Sequence, residues 1–146
     1  MAGFGHVCLS IFGKINNLQF LDNQLIDNNE TIVSKIETED FDCSIIVGTD
    51  PISHFPQQLS KKLSGKPIIL INYNQSATSQ FADVVIPSAI TGIESNGLAY
   101  RIDHVPIELK KILEPPENIL SDEEILNKLI DGVKEGWIYG NVNEYY

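Results

Sequence analysis

The sequence predicts an α/β domain: a parallel sheet flanked by helices, with a hairpin or extended arm before a C-terminal helix. Three observations carry this. "CSIIVG" and "KPIILIN" are short apolar runs of the kind found in strands buried within parallel sheets. Between them lies a segment with helical spacing, which makes a strand–helix–strand unit. Near the end, "LSDEEILNKLIDGVKEG" carries a helix-start signature and a periodic apolar stripe.

The first forty residues are weakly patterned. "GHVCLSIFG" suits a strand or the start of a buried helix, and "NNLQFLDNQLIDNN" reads as loop. Ile32, Val33 and Ile36 are spaced for a short helix. From Phe41 the signal is stronger. "CSIIVG" ends at Gly48 and "TDPISH" follows as loop. A helix is expected from Pro56, with Leu59 and Leu63 on one face, Lys61 and Lys62 in the last turn and Gly65 closing it in the left-handed conformation. After "KPIILIN", "YNQSATSQF" is polar loop or one helical turn, and "ADVVIP" is a third strand stopped by Pro87. "LAYRIDHVPIEL" alternates loosely about Asp103-His104, as a hairpin turn or an extended arm would. In the last helix Ser121 and Glu124 form a capping box, and Ile125, Leu126, Leu129, Ile130 and Val133 form the apolar stripe. The whole is read as one domain over 1–146, with a core at 41–135 and a tail at 136–146.

Composition narrows the function classes. The chain has 146 residues, a hydrophobic content of 42% and a net charge of −10, the profile of a globular domain. The ten Lys and Arg residues are scattered, so no nucleic-acid surface is expected. No apolar run is long enough for a membrane span, and no secretory signal is read at the N-terminus, which favours the cytoplasm. Cys8 and Cys43 fall in no metal or redox spacing and are expected as small buried hydrophobes.

In open parallel sheets ligands bind beyond the carboxyl ends of the strands. Three polar loops fall there: "GTDPISHF", "NYNQSATS" and "PSAITGIESNGLAYR". Each polar residue also has a plain structural reading. Asp50 before Pro51 suits a turn, Thr78 or Ser79 suits a cap, and Arg101 suits a solvated surface. There is no phosphate-binding glycine motif, no nucleophile elbow, no HExxH and no cysteine beside a basic partner. The pattern is that of a domain that holds a ligand rather than one that transforms it.

"GTDPISHFP", "ADVVIPSAITGIESNGLAYRIDHVPI" and "PPENILSDEEIL", in that order, resemble the C-terminal portion of the B subunit of formylmethanofuran dehydrogenase, within the molybdopterin oxidoreductases. The resemblance covers about Phe41 to Val133. It implies a Rossmann-like domain that cradles a molybdopterin guanine dinucleotide of a tungsten or molybdenum centre. By similarity, Gly48, Thr49, Asp50 and His54 line the first loop, Asn72 and Thr78 the second, and Glu94, Gly97, Tyr100 and Arg101 the third. The resemblance also implies that the metal ligand lies in the N-terminal part of the full B subunit, and neither Cys8 nor Cys43 matches the motif of that ligand. This chain would then ligate no metal, have no catalytic residue and be inactive alone. Its expected partners are that N-terminal part or other subunits of the enzyme that reduces carbon dioxide to formylmethanofuran. Two features depart from the wider pattern: the second strand ends in Asn72 rather than Asp, and Asp103-His104 replaces Asp-Gly. The alternative is a stand-alone nucleotide-binding or protein-interaction module that has lost the pterin.

Overall fold

The computed structural model describes residues 19–21, 24–26, 32–101, 103 and 105–135. Its centre is a three-stranded parallel sheet of β3 (Ser44–Val47), β4 (Ile68–Asn72) and β5 (Val84–Pro87), in that spatial order. The register sets Ile46 beside Leu70 and Leu70 beside Val85. Helices α1 (Ile32–Thr38), α2 (Pro51–His54) and α3 (Gln57–Leu63) precede or follow β3.

Ile46, Ile68 and Leu70, two residues apart along their strands or opposite one another, form a buried cluster with Ile36 of α1 and Leu63 of α3. β4 is the centre of this core, with Ile68, Leu70 and Ile71 wholly inaccessible. Removing a large aliphatic side chain there would cost about 2–5 kcal/mol. The expectation of full burial fails at β3, and β5 on the opposite edge is open in the same way. Ile45 of β3 is 53% exposed and Val84 and Val85 of β5 are each 47% exposed, because only β4 has a strand on both sides.

Four local expectations are also corrected. "TDPISH" contains the helical turn α2, favoured by Pro51 at its first position. Gly65 does not take the left-handed conformation; α3 ends on Ser64 in a right-handed turn instead. The stretch read as loop near residue 20 contains an antiparallel hairpin, β1 (Gln19–Leu21) with β2 (Gln24–Ile26). Cys43 is exposed rather than buried, since it precedes an edge strand. Cys8 and the tail at 136–146 lie outside the described residues.

The C-terminal part matches its reading more closely. β6 (Gly97–Tyr100) and β7 (Pro106–Leu109) pair antiparallel. Ser121 caps α4 (Asp122–Lys134) in a reciprocal capping box with Glu124. Ala89 donates to the Leu120 carbonyl at 2.8 Å, which ties the end of β5 to the start of α4. Ile125 is buried, but Leu129, Ile130 and Val133 are exposed, so only the N-terminal end of the apolar stripe is covered.

Candidate functional site at the carboxyl ends of the strands

All three parallel strands end on the same edge of the sheet, where they release the loops that begin at Gly48, Tyr73 and Ser88. Gly48 continues the ladder by donating to the Ile71 carbonyl at 2.9 Å and then turns the chain with φ near +60°. An added Cβ there would meet no neighbour, so the glycine answers the backbone conformation and not a steric limit.

Asp50 joins the first two loops. One carboxylate oxygen accepts the Thr78 amide at 2.9 Å and the Thr78 hydroxyl at 2.5 Å. The other accepts the Ser53 hydroxyl at 2.5 Å and the Ala77 amide at 3.2 Å. Burial raises the Asp50 pKa, but these four donors together outweigh it and hold the carboxyl far below the usual carboxylate range. Thr78 is wholly inaccessible, and its hydroxyl oxygen also accepts the Ile52 amide at 3.2 Å. The His54 ring lies on the same turn, its Nδ1 donating to the Asp50 carbonyl at 2.5 Å. In the neutral ring, that bond leaves Nε2 as the acceptor. Thr49 and His54 also line an apolar cavity of about 660 Å³ beside β3, with Ile32, Ile36 and Phe41.

The second loop is held at both ends. Asn72, nearly inaccessible, accepts the Tyr73 amide through its side-chain oxygen at 3.0 Å. Ser76 and Ser79 exchange hydrogen bonds around the turn that enters the short helix Thr78–Gln80. Between these anchors Tyr73, Asn74 and Gln75 are exposed. The backbone amides of Thr49, Asp50, Asn74 and Gln75 carry no hydrogen bond among the described residues, and amides of this kind at strand ends suit an anionic group.

Glu94, Gly97, Tyr100 and Arg101 belong to a separate cluster built on the β6–β7 hairpin. The Glu94 carboxylate accepts the Ile90 amide at 2.9 Å and closes its own turn. Gly97 is required by close approach: an added Cβ would lie 2.3 Å from the Thr91 methyl. Tyr100 stands opposite Pro106 in the hairpin register, and Arg101 pairs with Asp103 at 2.8 Å on the surface. The structure thus brings Asp50 and Thr78 together, sets Gly48, Thr49, His54 and Asn72 beside them in the two linked loops, and leaves Glu94, Gly97, Tyr100 and Arg101 apart, each paired with a neighbour in or beside the hairpin. The sequence reading did not single out Ala77, Tyr73 or Gln75. Only the aromatic and amide character of "YNQ" beyond a buried strand could have pointed to the last two.

No protein-family model matches the chain. A stretch of 113 residues, 77% of this chain, is 40% identical to the B subunit of tungsten-containing formylmethanofuran dehydrogenase 2 from Methanocaldococcus jannaschii. The chain is related to the formylmethanofuran dehydrogenase B subunit. The protein of the same name from Methanococcus maripaludis is 41% identical over 100 residues, 68% of this chain. The match takes in 24% and 23% of those two proteins, so the chain spans about a quarter of the length of the curated relatives it matches. Both relatives are named for tungsten; no group of three or more His, Cys, Asp or Glu residues among the described residues of this chain could hold a metal ion. No described helix is long and apolar enough to cross a membrane.

Proposed function

We propose that this chain is the C-terminal, molybdopterin guanine dinucleotide-binding part of a formylmethanofuran dehydrogenase B subunit. The observation that carries the reading is the relation to that subunit, joined to two linked loops that present free backbone amides at the carboxyl ends of parallel strands. The residues suit such a group. The amides of Thr49, Asp50, Asn74 and Gln75, unpaired among the described residues, are donors for a pyrophosphate, and the turn at Gly48 allows close backbone approach. Thr49 and His54 would contribute a hydroxyl and a ring acceptor at the first loop, with Asn72 and Thr78 at the base of the second. Glu94, Gly97, Tyr100 and Arg101 would form the outer wall through the β6–β7 hairpin.

The bound group would supply electron exchange with the one-carbon substrate, at a metal ligated by another stretch of protein. The work of this chain is to bind and orient the nucleotide end. It acts with the N-terminal part of the B subunit, or with other subunits, in reducing carbon dioxide to formylmethanofuran, and it is inactive by itself. Purified chain should show neither formate oxidation nor carbon dioxide reduction with an artificial electron partner. Turnover by the chain alone would refute its role as a holding domain.

A further inference from the structure

We infer that the ligand-contacting side chains of the second loop are Tyr73, Asn74 and Gln75, which read a nucleobase, and that Asp50 is the positioning residue that fixes them. The inference rests on the cofactor reading above, which supplies guanine as the base.

The Asp50 carboxylate is poorly placed to contact a ligand. Each of its carboxylate oxygens already accepts two hydrogen bonds, and all four donors lie within this chain. Those bonds fix the far end of the second loop at Ala77 and Thr78, while Asn72 fixes the near end at Tyr73. The intervening tip is therefore short, tethered on both sides and immediately beyond the most buried strand of the sheet. Its side chains have the opposite character: Tyr73 is 57% exposed, Asn74 and Gln75 are exposed, and the Asn74 and Gln75 amides have no partner among the described residues.

That combination suits a planar heterocycle. A tyrosine face stacks on any base, and a primary amide offers an acceptor and a donor side by side to a base edge. A tip fixed in advance loses little freedom on binding, so the cost of ordering it falls on folding instead. The Asp50 carboxylate acts through the loop and touches no ligand.

The test is calorimetric titration of the full chain with GDP and with ADP, alongside thermal melting. The unsubstituted chain should bind GDP more tightly than ADP. Asn74→Ala/Gln75→Ala should draw the two affinities together, and Tyr73→Ala should weaken both by about fivefold or more. All three exposed positions should leave the melting temperature unchanged. Asp50→Asn should lower the GDP preference, whereas Ser121→Ala, a destabilising change at the cap of α4, should leave it intact. If the chain binds GDP and the tip variants keep its affinity and preference, the tip is not the contact and the cofactor reading survives. Equal GDP and ADP affinities in the unsubstituted chain overturn base reading by the tip. Binding of neither nucleotide overturns the inference and the cofactor reading together.

Discussion

Asp50 accepts both the amide and the hydroxyl of Thr78, at 2.9 and 2.5 Å, and so bonds the loop after β3 to the loop after β4 across 28 residues of sequence. Asp50→Asn keeps the shape of the side chain but replaces one acceptor oxygen with a donor nitrogen. The two donors on that side, whichever they are, then lose their acceptor, and a net loss of about 1–3 kcal/mol is expected. Chemical denaturation of the two proteins side by side measures it, and equal midpoints would show that the contact contributes nothing.

The same contact sets a pH dependence. Because the folded-state pKa of Asp50 lies below its unfolded value, the contribution is fully present above about pH 4. It is lost as the pH falls from there through the folded pKa. Stability of the unsubstituted chain should therefore decline more steeply below about pH 4 than that of Asp50→Asn. Parallel acid slopes for the two would contradict the assignment. Asp40, hydrogen-bonded and paired to Lys35, and Glu124, bonded to Ser121, are lowered in the same direction and remain in both proteins.

Gly97 and Thr91 approach so closely that the glycine cannot gain a methyl group unaided. Gly97→Ala should destabilise by about 1–3 kcal/mol, the usual range for an overpacked site. Thr91→Ser removes the methyl that the new Cβ would strike, so the double variant should recover much of the loss. A double variant no more stable than Gly97→Ala alone would show that the strain lies elsewhere.

Ser121 and Glu124 satisfy each other's backbone amides at the start of α4. Ser121→Ala should cost about 1 kcal/mol, and Ser121→Asp, which still offers an acceptor, should cost less. Thermal melting distinguishes them; indistinguishable variants would mean that the cap is dispensable in this helix.

How much could be read from the sequence followed the range of the interactions. The Ser121–Glu124 cap lies within one turn, so four residues announce it. Asp103 marked the β6–β7 hairpin, and Pro87 marked the end of β5, by equally local chemistry. Whether an apolar strand is central or at an edge depends on which strands flank it, and "SIIV" and "VVIP" look as apolar as "IILIN". Their partial exposure was therefore illegible. The strands β1 and β2 have three residues each, too short for alternation to register. At the site, Gly48 and Asp50 stood out by type, but the consumption of the Asp50 carboxylate by Ala77 and Thr78 is a tertiary fact. The exposed tip at Tyr73–Gln75 became visible only once that clamp was located.

The central claim is that this chain holds the nucleotide end of a pterin cofactor. Titration of the full chain with extracted molybdopterin guanine dinucleotide tests it most directly. Saturable binding at a single class of site is expected, weakened when free GDP is added as competitor. Absence of saturable binding, with the protein folded by its melting transition, would contradict it.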